Sequence, residues 1–577
     1  MKVRTLLCAV LACPLALAAG QGQGAPDIPH LRKQGTATQL IVDGKPFLVL
    51  GGELLNSSAT SVEFMKPVWP KLVAARLNTV LAGVSWNQIE PEEGKFDFSV
   101  LDGVIEGARS HNLRLVLLWF GTWKNGLSSY PPDWVKRDFE RFPRAQIVGA
   151  NTPWPVFGGP RGQITGSRSV ELLSPLGDAS RDADARAFAA MMRHLKAVDG
   201  QRHTVLMIQV ENEVGMQGDT RDRSPLATQA YESLAPKELM DYLQQHKNDL
   251  IPELCQVWET NGFKTSGTWE EVFGKGAATD EIFMSWHFAR YIGRAAEAGN
   301  AEYPLPMFVN AWAPGFAKDN QHANGQSSSP MPDTLDVWRA GTPQIDMISP
   351  DIYDYDYAMM CARYTRFGNP LFIPETRGLP PNGMEARVLY AFGRHDAIGF
   401  SPMGIERSAT PDIELTSSYD VIRQLASLIS EHQGNGTMSA VLLGANDPPQ
   451  KIQVGNYTLE ASYLKSRVLP GSPQPQPPFP NAAAIFIATG SDEFYAAGNG
   501  VTVTFTPNTP GPPLAGLATV EEGVFADGRW IPGRRLAGDD TATPGLVLPR
   551  LHVVADHPAL FGPSFKGILR VTLYRYR

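Results

Sequence analysis

Cysteine is scarce, with four in 577 residues, and only Cys255 and Cys361 lie beyond the first nineteen. Spacing alone cannot pair two cysteines, so two free thiols are expected and a disulfide scaffold is not. Positive charge is also short. The formal charge is −8, and removal of Lys2 and Arg4 with a cleaved leader takes it to −10, which argues against nucleic acid as a partner. After the first twenty residues no stretch approaches eighteen uninterrupted apolar residues, so the processed chain is expected to have no membrane-spanning segment. Also absent are a Gly-rich phosphate loop of convincing spacing, a His/Cys set at metal-ligand spacing and a nucleophile-elbow serine. No metal or other cofactor is expected. His287 and His395 belong to no recognisable pair and read as structural. Tryptophan is nearly missing from the C-terminal part: of twelve, eleven lie between Trp69 and Trp338 and only Trp530 follows.

What the chain does have begins with a leader. Lys2 and Arg4 precede an apolar run at 6–17 with Ala16, Ala18 and Ala19 at its end, the pattern of a secretory signal peptide over 1–19. The destination implied is the periplasm or the exterior. The roughly 560 residues that remain exceed a single hydrophobic core, so at least two domains are expected.

Residues 39–53 read as a hairpin around Asp43-Gly44. Short apolar runs at 48–51, 77–84, 113–119, 205–210, 282–286, 307–312, 345–348, 371–373 and 398–400 then alternate with helix-like stretches such as 61–75, 98–111, 182–198 and 384–395. Strand followed by helix, repeated, predicts a parallel sheet with helices outside it, here a (β/α)₈ barrel over 35–436. Nine strand candidates compete for eight places, and strand five is expected at either 282–286 or 307–312. The segments 131–181 and 215–275 read as insertions. A helix over 418–432 ends at Gly434-Asn435-Gly436, and runs at 440–443, 483–489, 501–505, 551–554 and 567–576 then predict a β-rich, sandwich-like domain over 437–577. A Pro-rich connection at 470–480 interrupts it.

Two barrel strands end in carboxylates. The run 205–208 leads into Glu211-Asn212-Glu213, and Leu371-Phe372-Ile373 into Pro374-Glu375-Thr376. A lone Glu after a strand is usually a solvated loop residue or a helix cap. Three polar residues where a strand leaves the core, with a second carboxylate at another strand end, instead suit cleavage of a glycosidic bond. That reaction needs one acid and one nucleophile or base at the same barrel mouth. Residues two apart on a strand share a face, so spacing does not choose between Glu211 and Glu213.

The segment Gln209-Val210-Glu211-Asn212-Glu213-Val214-Gly215 resembles the acid/base motif of family 35 glycoside hydrolases, the β-galactosidases of clan A. Val42-Asp43-Gly44-Lys45-Pro46-Phe47, Leu77-Asn78-Thr79-Val80, Trp86-Asn87 and Glu90-Pro91-Glu92-Glu93-Gly94-Lys95-Phe96-Asp97-Phe98 resemble that family's first two strands and the loop after them. Phe372-Ile373-Pro374-Glu375-Thr376 sits where clan A carries its nucleophile.

The resemblance implies that Glu375 is the nucleophile, that Glu213 is the acid/base with a raised pKa, and that Asn212 binds the sugar 2-hydroxyl. It further implies a retaining, exo-acting β-galactosidase that removes terminal β-galactose from oligo- or polysaccharides such as plant cell-wall side chains. Asn125, Trp123, Trp312 and Tyr353 are further candidates for substrate contact, Tyr353 by orienting the nucleophile. A loop-turn role for Asn125, core packing for either Trp and rim packing for Tyr353 are the alternatives.

Two departures bear on the sugar. Ala82-Gly83-Val84-Ser85 stands before Trp86 where the family commonly has a Tyr. Trp119-Phe120-Gly121-Thr122-Trp123 replaces its Arg-Pro-Gly-Pro-Tyr and following Glu. A β-glucosidase or β-arabinosidase of the same clan therefore stays open, as does a barrel that binds carbohydrate without cleaving it. The oligomeric state has no signature in the sequence.

Overall fold

A computed structural model describes residues 28–146, 172–217, 219–312, 326–353, 356–376, 383–407, 411–464, 481–536, 541, 546–548 and 567–577. The leader at 1–19, the Pro-rich stretch at 470–480 and the strand expected at 551–554 lie outside the described residues. Among the described residues no helix is long and apolar enough to cross a membrane, and Cys255 and Cys361 are both free thiols.

Eight parallel strands form the barrel: β1 (Val49–Glu53), β2 (Thr79–Ser85), β3 (Arg114–Lys124), β4 (Val205–Asn212), β5 (Met307–Trp312), β6 (Met347–Asp351), β7 (Phe372–Ile373) and β8 (Gly399–Phe400). They follow one another in sequence order around the sheet, and an Ile352–Thr376 bridge just beyond β6 and β7 closes the circle. Alternate residues divide between two cores, as the two-residue strand period requires. Leu81, Val116, Leu118, Met207 and Phe308 fill the barrel interior. Val80, Ala82, Leu115, Leu117 and Ile208 join the helices outside it.

Of the two candidates for strand five, 307–312 is the strand. Residues 282–286 lie instead inside the helix Ala277–Glu302. That run is part of a 26-residue helical segment, far too long for one strand, and its apolar residues pack in the outer core with those of Asp178–Asp199. These two helices are called α1 (Asp178–Asp199) and α2 (Ala277–Glu302).

The N-terminal hairpin is shorter than expected. Ala37–Val42 pairs with His30–Gln34 and with only Lys45–Pro46, after which the chain turns directly into β1. Asp43 and Gly44 both have positive φ (51° and 76°), the geometry of a tight type I′ turn. Leu40 and Val42 join the interior core and so plug one end of the barrel.

After α3 (Met384–His395) and α4 (Ile413–His432) the chain becomes antiparallel β. A six-stranded and a four-stranded sheet enclose a second core that includes Val441, Phe486, Leu459 and Val503. This is a sandwich. Its strand Ala482–Ala488 is buried along its whole length. Ala484 and Phe486 face the sandwich core, while Ala483, Ile485 and Ile487 belong to the barrel's outer core.

Candidate active site

The mouth of the barrel at the C-terminal strand ends collects Glu53 from β1, Lys124 from β3, Asn212 from β4 with Glu213 just after it, Asn310 from β5, Asp351 from β6, and Glu375 just after β7. All seven side chains are buried. Carboxylate oxygens of Glu213, Asp351 and Glu375 lie within 4.8 Å of one another.

The end of β4 is built by an irregularity. Trp119 pairs with Val210 and Lys124 pairs with Asn212, so residues 120–123 of β3 stand opposite Glu211 alone. Glu211 has φ 63°, which breaks the alternation that would otherwise point it inward beside Gln209. Its carboxylate instead accepts the backbone N–H groups of Thr122 at 2.9 Å and Trp123 at 2.6 Å. Burial, and then Asp184, push its pKa well up. A Cβ at Gly121 would lie 2.4 Å from the Glu211 carboxylate, so only glycine admits this approach. Glu211 is thereby committed to the backbone of the strand, and Glu213 is the carboxylate left facing the pocket.

Glu213 also has positive φ, 41°, a conformation that non-glycine residues hold only where their surroundings fix it. Two contacts do so. Its N–H donates to the side-chain oxygen of Asn310 at 2.8 Å, and its carbonyl accepts from Gly126 N–H at 2.9 Å. Burial, then the charge of Glu375, raise its pKa from the ordinary 4.5 to about 7, against the pull of Lys124 and of a hydrogen bond from Asp351. That is the environment a general acid needs near neutral pH. Asn310 also donates to Asp351 at 2.7 Å. Asp351, buried among Glu375, Glu213 and Glu53, is held well above the carboxylate range, so it can carry a proton beside Glu213.

On the opposite side the Tyr353 hydroxyl donates to Glu375 Oε1 and lies 3.1 Å from Met403 Sδ. Burial, then Glu375, raise the Tyr353 pKa far above its usual value, so it stays a donor. Arg387 holds the Tyr353 carbonyl at 3.1 Å. The second oxygen of Glu375 is buried and accepts no amide or alcohol donor, so apart from a proton shared with Glu53 it is left to approach a reacting carbon.

The remaining sequence candidates separate. Asn212 faces the pocket, its side-chain oxygen held by Lys124 Nζ at 2.8 Å. Asn125 sits in a left-handed turn (φ 52°) with its N–H on the Asn212 carbonyl at 3.2 Å, and its side chain is exposed. Trp123 is corrected: the 120–123 excursion turns its ring outward into the core. There it packs at 5.1 Å from Phe288 and 4.4 Å from Tyr291 and donates to the Leu173 carbonyl at 3.1 Å. It offers no face to a sugar. Trp312 ends β5, and its side chain lies outside the described residues. His287 and His395 are half-buried, each with its pKa lowered to about 4, by loss of hydration first.

Sequence reading did not single out Glu53, Lys124, Asn310 and Asp351, which the barrel mouth brings together with Glu213 and Glu375. Each is a polar residue at the end of an apolar strand run, the same signal that singled out Glu213 and Glu375. As a site for a hard cation, Glu213, Asp351 and Glu375 supply three side chains, where calcium takes six to eight oxygen ligands.

Residues 63–275 match the family described as beta-galactosidase, glycoside hydrolase family 42. Residues 415–544 match a domain of unknown function, DUF5597. The family 42 match includes Glu213 and ends before Glu375. A beta-galactosidase of Xanthomonas manihotis is 29% identical over 222 residues, 38% of this chain and 32% of that protein. An exo-beta-D-glucosaminidase of Thermococcus kodakarensis is 31% identical over 126 residues, 20% of this chain and 15% of that protein. The chain thus spans less than a third of the length of either relative. Among solved structures, the beta-galactosidase of Bacillus circulans sp. alkalophilus superposes with TM-score 0.42 at 16% identity, covering 66% of this chain and 57% of that one. Over its first half, then, the chain is similar to β-galactosidases of family 42.

Proposed function

We propose that the chain is a retaining, exo-acting β-galactosidase, exported to the periplasm or beyond, that removes terminal β-galactose from oligo- or polysaccharides such as plant cell-wall side chains. The observation that carries the reading is the approach of Glu213 and Glu375, whose oxygens lie within 4.8 Å. Retaining glycosidases hold their two carboxyls about 5 to 5.5 Å apart, whereas inverting ones leave about 6.5 to 9.5 Å for a water. Glu375 attacks the anomeric carbon while protonated Glu213 gives its proton to the leaving oxygen. Once the glycosyl ester has formed, the charge of Glu375 is gone and the Glu213 pKa falls. Glu213 then takes a proton from water, which releases the sugar with its configuration retained.

Galactose as the sugar rests on the partial similarity to β-galactosidases and on the family 35 motifs, which share the Asn-Glu arrangement at the end of β4. The partial relative named an exo-beta-D-glucosaminidase favours a second reading, that of another exo-acting β-glycosidase with the same two carboxylates. Hydrolysis of a panel of nitrophenyl glycosides, with proton NMR of the first anomer released, tests both. Prompt release of β-galactose is expected. Release of another β-sugar replaces the substrate, and release of the α-anomer removes the retaining mechanism.

A further inference from the structure

The pocket holds a carboxylate that the two-step mechanism does not use. Glu53, at the end of β1, is 1% exposed. Its position is fixed by its backbone: its N–H donates to the Pro402 carbonyl at 2.9 Å and its carbonyl accepts from Gly404 N–H at 2.8 Å. Between these contacts it pairs with Met403, whose sulfur lies 3.1 Å from the Tyr353 hydroxyl that serves Glu375. Apart from a proton that it can share with Glu375, neither oxygen of Glu53 has a hydrogen-bond partner. A buried carboxylate without donors is unfavourable. Burial, then Glu375, accordingly push its pKa well above the carboxylate range, with Lys124 the cation that opposes them.

We propose that Glu53 is a specificity-determining residue whose carboxyl group hydrogen-bonds the C3 and C4 hydroxyls of the terminal sugar. The inference rests on the glycosidase reading and follows the ring around the pocket. The anomeric carbon belongs at Glu375, and the C2 hydroxyl at Asn212. Lys124 binds Asn212, and around the barrel mouth Glu53 of β1 stands between Lys124 of β3 and the Met403–Tyr353–Glu375 side, where the reading puts the next two ring positions. A vicinal diol offers two hydroxyls at the spacing of one carboxyl group, the partners that Glu53 lacks.

The test compares kcat/KM for nitrophenyl β-galactoside and its 3-deoxy, 4-deoxy and 6-deoxy analogues between the unaltered enzyme, Glu53→Gln and Glu53→Ala, with circular dichroism as the check of folding. The unaltered enzyme is expected to lose about a hundredfold on the 3-deoxy and 4-deoxy substrates, because a site built to bond a hydroxyl rejects its absence. Glu53→Ala should lose a similar factor on the parent substrate and less than about threefold more on either deoxy analogue, while 6-deoxygenation costs both proteins alike. Fully additive losses at C3 and C4, or Glu53→Ala within threefold of the unaltered enzyme, overturn the assignment and leave the glycosidase reading intact. Should Glu53→Ala not fold, the isosteric Glu53→Gln carries the same comparison. If a different glycoside is the one cleaved, its deoxy series serves, and cleavage of none removes the glycosidase reading and the Glu53 assignment with it.

Discussion

Lys124 Nζ donates to the Asn212 side-chain oxygen at 2.8 Å, and that bond decides which end of the amide faces the pocket. The amide nitrogen is left buried without a hydrogen-bond partner in the protein, so it is presented as a donor. The same ammonium lowers the pKa values of Glu213 and Glu53. Lys124 therefore acts as a positioning residue with an electrostatic signature. In Lys124→Met, kcat should fall by about ten- to a hundredfold through lost orientation. Because a cation that favoured the ionised form is gone, the alkaline limb of the pH profile should move up. A fall in kcat with an unmoved limb would reduce Lys124 to a structural role.

Glu375 is the largest charge that raises the Glu213 pKa, second only to burial. Under the retaining reading, activity of the unaltered protein should accordingly fall as pH rises through about 7, where Glu213 loses the proton it would give to the leaving group. In Glu375→Gln the like charge is removed while the burial remains, so Glu213 should titrate at lower pH than in the unaltered protein. Carbon NMR of labelled glutamate side chains reads this directly. An unchanged Glu213 titration in Glu375→Gln would show that the two carboxyls do not interact.

The same shift predicts the pH dependence of stability. Glu213 has a folded pKa of about 7 against an ordinary 4.5, so the folded state holds its proton more tightly than the unfolded chain does. The resulting stabilisation is fully present below about 4.5 and is lost as pH rises through about 7. Glu213→Gln keeps the shape and cannot ionise, so it should melt higher than the unaltered protein at pH 8 and much closer to it at pH 4.5. The difference amounts to roughly 3 kcal/mol at most. Glu53 and Asp351 are raised partly by the charge of Glu213, so their own alkaline loss is smaller in Glu213→Gln and the offset at pH 8 keeps the same sign. Equal offsets in melting temperature at the two pH values would contradict the shift.

The barrel was legible because each strand, buried on both faces, reads as a short apolar run, and because carboxylates stand where two of those runs stop. Two kinds of feature were not. The helix Ala277–Glu302 hides a strand-like run at 282–286, since a helix buried on most sides loses the polar stripe that would mark its period. The end of β4 defeats alternation. With Glu211 and Glu213 both at positive φ and residues 120–123 opposite one residue, the faces of Glu211 and Trp123 follow from an irregular pairing that local sequence does not encode. Gly121 is its one local trace. Glu53 and Lys124 were legible in principle, as charged ends of apolar runs, but their meaning depends on where the barrel brings those ends together.

Trp123 separates these two kinds of reading experimentally. Its ring is buried against Phe288 and Tyr291, so Trp123→Ala should cost about 3 to 5 kcal/mol of stability, as large core truncations do. The KM of the variant that remains folded at low temperature should stay within about threefold. A tenfold rise in KM with little loss of stability would put the ring back on the substrate.

The joint between barrel and sandwich makes the last prediction. A Cβ placed at Gly393 of α3 would lie 2.7 Å from Ala440 Cβ and 2.7 Å from Ile485 Cγ1, closer than side chains approach, so helix and sheet meet at this glycine without room for a methyl group. Around it Leu389 and Phe392 of α3 share one continuous core with Ile485, Ile487 and Tyr495 of the sandwich. Gln424 of α4 also accepts the N–H of Phe525 at 3.0 Å. The sheet therefore covers apolar helix surface that the barrel alone would expose to water. Gly393→Val should lower the melting temperature by the equivalent of about 1 to 3 kcal/mol of overpacking while leaving kcat/KM of the folded fraction unchanged, since the atoms a side chain at 393 would meet first belong to Ala440 and Ile485 of the sandwich. A chain ended at residue 436 should be insoluble for the same reason. Soluble, active barrel from that truncation would mean that the sandwich is an appendage, whereas its loss together with a destabilised Gly393→Val makes the sandwich part of the barrel's own fold.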